Sequence, residues 1–320
     1  MKKILLLMLV SIFTFSLASC TKDELPKEDV SIKIMAPKGS PALAQVHMEH
    51  EMPSIGENAT YEVEIVGGTD PLVAAFSSES HDIIYAPTNL AAKLVSLGKD
   101  YVFAGTVVWG TLYFGTSTEE EFTIDSLAGK EIIVFGQNAT PDVVVQTALL
   151  DRFGSNAPTI RYIGSAADAQ AEILANNEAI VLLTEPLLSV TKLKVPNLKI
   201  IDLQEEWKTA TGKDAYPQAG IFVKSELIEK RKDVVDNYLS EVKKAVNEAN
   251  NNTDAVAQMA VELEYGFPLP VLKSAIPLSS LRFVSAMDSK EDLEFYFNKI
   301  IELNPALIGG ELPKDDFYYN

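Results

Sequence analysis

Between residues 30 and 35 apolar and polar positions alternate with period two, which predicts a strand with one buried face. Residues 41–50 change to helical spacing. A second β-type run spans 61–66, a helix opens at 71–76, 82–85 is a short apolar strand, and 89–97 is helical again. Strands alternating with helices of this size predict an α/β unit whose mostly parallel sheet is covered by helices.

The stretch 101–115 (YVFAGTVVWGTLYFG) is too long and too β-rich for one buried strand. It divides better into two strands with a kink at Trp109-Gly110, as expected where a chain crosses between compact units. A second series follows, with strands at 131–135, 160–163, 179–183 and 198–201 and helices at 141–152 and 166–175. A turn-rich connector over 208–218 leads to a strand at 219–223. Residues 227–249 then carry an apolar stripe of helical period that packs on a core. The rest of the chain reads as helix, interrupted at Pro268, Pro270 and Pro277. The expected layout is two lobes, 30–112 plus 221–320 and 113–220, with hinges near 110–115 and 217–221.

The first residues have a different character. Lys2 and Lys3 precede an apolar run over 4–15, and small residues Ala18 and Ser19 lead to Cys20. That run is shorter than the roughly 20 residues of a membrane-spanning helix. Leu17-Ala18-Ser19-Cys20 resembles the bacterial lipobox, in which the cysteine is acylated with palmitate-type chains and cleavage falls just before it. The expectation is a signal peptide over 1–19 and a lipidated tether over 20–29. The alternative is a secreted protein with a cysteine at the cleavage site by chance. Cys20 is the single cysteine, so no disulfide framework, thiolate zinc site or cysteine nucleophile is available deeper in the chain.

Charge narrows the partners. Setting Lys2 and Lys3 aside from the 27 basic residues leaves 25 against 45 acidic ones, a balance that argues against nucleic acid.

Three strand ends share one device: Pro37-Lys38-Gly39-Ser40-Pro41, Gly67-Gly68-Thr69-Asp70-Pro71, and Gly136-Gln137-Asn138-Ala139-Thr140-Pro141. Ser40, Asp70 and Thr140 are good N-cap types, each followed by proline at the first helical position. Helix starts present free amides, and ligands of open α/β sheets bind at such strand ends. Any α/β protein caps helices this way, but three copies across two lobes point to a shared crevice. The amides at Gly39–Ser40, Gly68–Thr69 and Ala139–Thr140 are candidate donors. Thr88, Asn89, Gln137, Asn138 and Glu185 are candidate polar contacts, and Trp109 or Tyr85 a stacking face, although each ring also suits core or hinge packing. Lys38 is the one basic residue in these loops, which argues against a multiply charged anion.

His47 and His50, with Glu49 and Glu51, have helical spacing but no third ligand cluster, so an exposed polar face is expected and no metal. The sequence contains no nucleophile elbow, phosphate-loop lysine motif or histidine with an evident acid partner, so neither catalysis nor a cofactor is expected.

Residues 127–154 (LAGKEIIVFGQNATPDVVVQTALLDRFG), the strand end 179–186 (AIVLLTEP), the run 216–224 (YPQAGIFVK) and the tail 304–313 resemble, in order and spacing, the substrate-binding lipoproteins of nitrate-, sulfonate- and taurine-type ABC transporters. The resemblance covers nearly the whole chain after Cys20. It implies a type-II periplasmic-binding-protein fold, closing over a small planar or weakly anionic molecule. It further implies a monomer that serves an ABC permease and is held outside the cytoplasm by its lipid alone. Enzymes of menaquinone and thiamine-pyrimidine synthesis share this shape, the latter with a cysteine-rich motif missing here. An adhesin or sensor lipoprotein is the remaining alternative.

The anchor is directly testable. Cys20→Ala is expected to move the protein from the membrane fraction to the soluble one, and retention of the variant in membranes would refute acylation at this position.

Overall fold

A computed structural model describes residues 28–320, the side chains of Leu150 and Asp151 excepted, so the signal-like segment and Cys20 lie outside the described residues. The chain begins β1 (Val30–Pro37), α1 (Ser40–Leu43), α2 (Val46–Glu51), β2 (Ala59–Val66), α3 (Asp70–Ser78), β3 (Ile83–Pro87), α4 (Thr88–Ser96) and β4 (Tyr101–Val108). It continues with β5 (Leu112–Thr116), β6 (Glu131–Phe135), α5 (Thr140–Val145), a π-helical turn at Gln146–Leu150, α6 (Asp151–Phe153), β7 (Thr159–Ile163) and α7 (Ala166–Ala175). Next come β8 (Val181–Thr184), α8 (Leu187–Lys194), β9 (Lys199–Asp202) and α9 (Leu203–Thr211). The last part is β10 (Ala219–Lys224), α10 (Ser225–Asn251), α11 (Thr253–Glu262), α12 (Leu269–Leu278), β11 (Leu281–Ser285) and α13 (Ala286–Leu303).

Two sheets result, in the orders β11-β4-β10-β3-β1-β2 and β7-β6-β8-β5-β9. β1 is parallel to β2 and β3, and β6 to β7 and β8. β10 and the edge strand β11 run against the other four strands of the first sheet, and β5 runs against the other four of the second. β5 and β10 are the strands formed just after the chain passes from one sheet to the other. The first passage occupies Trp109 to Thr111, and Leu112 already belongs to the second sheet. Ala219 and Gly220 already belong to the first. This is the expected α/β architecture of two covered sheets.

Period-two alternation sorts side chains between the faces. Ile32, Ile34, Ile83, Tyr85, Ile221 and Val223 pack beneath the α10 stripe of Val234, Tyr238, Val242 and Val246. Ile84, Phe103 and Phe222 point the other way, into a cluster that continues without a break to Phe114, Ile132, Trp207 and Tyr216 of the second lobe.

The sequence reading departs from the structure at definite places. The helix expected over 41–50 breaks at Gln45 (φ −118°, ψ 4°) into α1 and α2. The helix expected over 141–152 widens into the π turn. Residues 208–211 are the end of α9, stopped by Gly212 at φ 74°, and not part of a connector. β11 was hidden in an apparently helical region, where its register depends on pairing with β4. Ser40, Asp70 and Thr140 are first helical residues and do not cap. Gly39, Thr69 and Ala139 hold the cap positions, without side-chain cap bonds.

Gly220 marks the tightest sheet contact. A Cβ there would lie 2.5 Å from Phe103 Cε2 and 2.7 Å from the Gly105 carbonyl oxygen. Gly220→Ala is therefore expected to cost about 1–3 kcal/mol, read as a lowered urea midpoint. An unchanged midpoint would show that β4 and β10 can separate without loss.

Candidate ligand cleft

The strand ends of the two sheets face each other and are tied together by uncharged groups. At the end of β3, the Thr88 amide donates to the Gln218 carbonyl at 3.1 Å and its hydroxyl to the Pro217 carbonyl at 2.7 Å. One residue on, Asn89 Oδ1 accepts from the Thr140 hydroxyl at 3.1 Å, which joins α4 to α5 across the lobes. Tyr296 of α13 donates its hydroxyl to Thr140 Oγ1 at 3.0 Å. Thr140 thus accepts and donates at once, and Thr88, Asn89, Thr140 and Tyr296 are all buried. At the end of β1, Ser40 donates to Ser279 Oγ at 3.0 Å. A Cβ on Gly39 would sit 3.9 Å from the Glu185 carbonyl oxygen, so the β1–α1 and β8–α8 turns lie against one another.

The crossings form the floor. The Thr111 amide donates to Gln218 Oε1 at 3.0 Å, and the Thr111 and Thr184 hydroxyls are hydrogen-bonded to each other at 2.7 Å. Gln204 accepts from the Leu112 amide at 2.9 Å and donates to the Leu112 carbonyl at 3.2 Å, and Tyr216 donates to the same Gln204 oxygen at 2.9 Å. Gly110, at φ 91°, lets the backbone pass here. A Cβ would lie 2.9 Å from Gln204 Cγ and Tyr216 Cζ. Tyr113 donates to the Leu278 carbonyl at 2.9 Å, linking β5 to the end of α12.

Glu185, just past the end of β8, is 3% exposed. Its carboxylate accepts from the Ser189 amide at 3.2 Å and hydroxyl at 3.0 Å. Burial pushes the carboxyl up to about 7, against the opposing pull of the Ser189 bonds and the Lys192 charge.

Six sequence candidates therefore come together: Gly39, Ser40, Thr88, Asn89, Thr140 and Glu185. Others do not. Gly68 and Thr69 are exposed, in the turn after the edge strand β2. Lys38 is exposed, its ammonium 4.9 Å from the Phe267 ring centre. Gln137 and Asn138 are exposed on the rim, where the Asn138 amide donates to Asp142 Oδ2 at 2.8 Å. The Ala139 amide is spent on the Gly136 carbonyl at 3.0 Å and is no free donor. Tyr85 lies in the core, its hydroxyl 2.9 Å from that of Tyr238. Trp109 packs at the crossing, donating to the Arg282 carbonyl at 2.9 Å beneath the Arg282 guanidinium. Neither ring offers a stacking face.

Sequence reasoning missed Thr111, Gln204, Gln218 and Tyr296. Thr111 follows the Trp109-Gly110 kink and Gln218 lies in the 216–224 run, so both had a signal. Tyr296 had none, since on an amphipathic helix it reads as core. The α2 histidine His50 bonds Glu51 and Glu262 at 2.9 and 3.0 Å, and Glu49 accepts from Tyr265 at 2.6 Å. A concavity of about 430 Å³ at the start of β4, lined by Lys99, Tyr101, Leu312 and Phe317, is at the end of that strand away from the crossing. It gathers none of the strand-end loops.

Residues 101–304 match the family model described as menaquinone biosynthesis. No curated protein registers as a sequence match. Among solved structures, an ABC transporter protein from Parabacteroides distasonis is 23% identical, with a TM-score of 0.79 over 91% of this chain and 99% of that one. The alkanesulfonate-binding protein of Xanthomonas axonopodis bound to MOPS is 16% identical, with a TM-score of 0.61 over 91% and 97%. A Candida albicans protein described as having the generic periplasmic-binding-protein fold is 14% identical, with a TM-score of 0.55 over 90% and 93%. At these identities the likenesses establish the two-lobed periplasmic-binding-protein fold.

The raised Glu185 carboxyl fixes a pH dependence. Its ordinary value is 4.5 and its folded value about 7, so the folded state binds the proton more tightly. The resulting stabilisation is complete below about 4.5 and is lost as pH rises through 7. A shift of this size corresponds to about 3 kcal/mol. Melting temperatures of wild type and Glu185→Gln are expected to diverge in favour of the variant between pH 5 and about 8. Parallel curves would show that Glu185 titrates as an exposed acid.

Proposed function

The chain belongs to the menaquinone biosynthesis family; within that family we propose that it is an extracytoplasmic solute-binding lipoprotein that delivers a small organic molecule to an ABC importer. The observation that carries this reading is the meeting of buried hydroxyls and amides from both sheets and both crossings, with Asn89 and Thr140 bonded across the lobes. A ligand placed between the lobes would exchange these bonds for its own, and closure would then depend on binding. The Parabacteroides and Xanthomonas proteins, described as an ABC transporter and an alkanesulfonate-binding protein, support the same reading. The lipid on Cys20 would hold a monomer beside its permease.

Family membership favours a second reading, an enzyme acting on a small metabolite of the menaquinone pathway. Against it, His47 and His50 lie on α2 and His81 pairs with Glu64 before β3, all away from the cleft. Two buried acids stand at the cleft, Glu185 held by Ser189 and Asp142 held by the Asn138 amide, Gln146 and Tyr162.

Thermal shift against small metabolites, followed by mass spectrometry of the bound compound after incubation, separates the readings. A receptor is stabilised by ligand and returns it unchanged, whereas recovery of a converted product would establish the enzyme. With the compound so found, Thr140→Val is expected to weaken binding by roughly fivefold, the equivalent of one neutral hydrogen bond of about 1 kcal/mol. Undiminished affinity by calorimetry would remove Thr140 from the site.

A further inference from the structure

We infer that the first lobe is the one held next to the lipid surface, base toward the bilayer, with the second lobe standing farthest out, because Arg231 fixes the chain at Glu28 to the core of the first lobe at its end away from the cleft. This posture rests on the lipoprotein reading and deepens it. Arg231 lies within α10 but leaves helical geometry, at φ −143° and ψ 54°, and its side chain is buried. The guanidinium donates to the Glu28 carbonyl at 2.7 Å and to the Glu57 carbonyl at 2.8 Å. Its Nε and Nη2 also reach the two Asp233 carboxylate oxygens at 3.1 and 3.3 Å, which fixes its plane. One side chain thus ties the entries of β1 and β2 to α10, whose next residues Val234, Val235 and Tyr238 are buried in the core. The Val30 amide donates to the Asn58 carbonyl at 2.8 Å, and β1 is paired on both sides, by β2 and β3. A pull on the residues before Glu28 therefore acts on the whole lobe and not on a loose strand.

Strand direction places this exit. β1 runs from Val30 at the base to Pro37 at the cleft, 8 residues or about 26 Å. β3 and β4 both oppose β10, so α4 returns the chain to the base of the first lobe, where Leu97 is 67% exposed. β8 and β9 both oppose β5, so α8 returns it to the base of the second lobe, near which Leu193 is 57% exposed. The strand ends of the two sheets meet at the cleft, so the bases are its far sides. The tether from Cys20 to Lys27 spans roughly 15 Å as a coil and about 28 Å at full stretch. As a coil it is shorter than β1. A lipid on Cys20 therefore keeps Glu28 nearer the bilayer than the cleft, with the second lobe beyond. Glu28, Asp29, Asp82 and Glu226 surround the exit against Lys230 and the buried Arg231, so this face has no attraction of its own for anionic headgroups. The lobe that a permease in the same bilayer meets first is then the first lobe.

The test uses the acylated protein in phosphatidylcholine vesicles that carry an energy-transfer acceptor on a headgroup. Acylation consumes the thiol of the single cysteine, so Leu97→Cys and Leu193→Cys each provide one site for a donor dye. Both replace exposed side chains, and unchanged melting temperatures confirm that the fold is kept. Transfer from position 97 is expected to be at least twice that from position 193, and equal transfer, or more from 193, would overturn the inference. Inserting about twenty Gly/Ser residues after Glu24 raises the coil span to about 30 Å, beyond the length of β1, and is expected to bring the two efficiencies together. A difference that survives the longer tether would show that the base itself grips the lipid, and would refute the fixed exit and short tether as the cause. Protein left in solution, with transfer from neither position, refutes the lipoprotein reading itself, so the two failures are distinguishable.

Discussion

The structure depends on a chain that leaves one sheet and enters the next within three residues. Between Val108 and Leu112 there is no room for a helix or an independent loop, so the peptide groups at the passage must be satisfied on the spot. Leu112 pairs with Thr184 on one side, but β9 begins its pairing one residue later, at Tyr113. The Gln204 side chain fills the gap, accepting from the Leu112 amide and donating to its carbonyl as a strand neighbour would. Leaving those buried groups unpaired would cost about 1–3 kcal/mol each. Gln218 does the corresponding work for Thr111. Both glutamines come from the second passage or the helix before it, so the outgoing crossing is completed by the returning one.

Other features follow from that mutual completion. Each sheet incorporates a strand made just after a crossing, β5 in one and β10 in the other, and neither sheet is continuous without it. The lobes also share an apolar cluster, in which Trp207 and Tyr216 meet Phe295 and Tyr296 of α13. On the strand-end side the lobes meet instead through single hydrogen bonds such as Thr140 to Asn89. Packed aromatics resist displacement, whereas neutral hydrogen bonds exchange partners at little net cost.

The charge pattern of the cleft follows from how its helices start. Proline after Ser40 and Thr140 leaves those hydroxyls uncommitted to capping, and they reach other elements instead. The carboxylates of Asp142 and Glu185 then satisfy first-turn or preceding amides from within the chain. One design meets the helix ends internally and leaves the lobe boundary to neutral side chains.

The alternation over 30–35, the βα spacing, the kink at Trp109-Gly110 and the α10 stripe determined by themselves that this is an α/β chain with a crossing. These signals are local, set by strand and helix periods. The strand-end turns likewise brought Ser40, Thr88, Asn89, Thr140 and Glu185 forward, because a residue just past a strand is placed by that strand alone. What the sequence could not decide was which way a ring or an amide points once the sheets are stacked. Tyr85 and Trp109 look like stacking residues until α10 and Arg282 are seen to cover them. Gly68 and Thr69 share their motif with the other turns yet lie exposed, because β2 is an edge strand. β11, Gln204 and Tyr296 acquire their roles from partners far away in sequence, Tyr296 from Thr140 at a separation of 156 residues. Non-local pairing leaves no period behind it, and only the tertiary structure decided those positions.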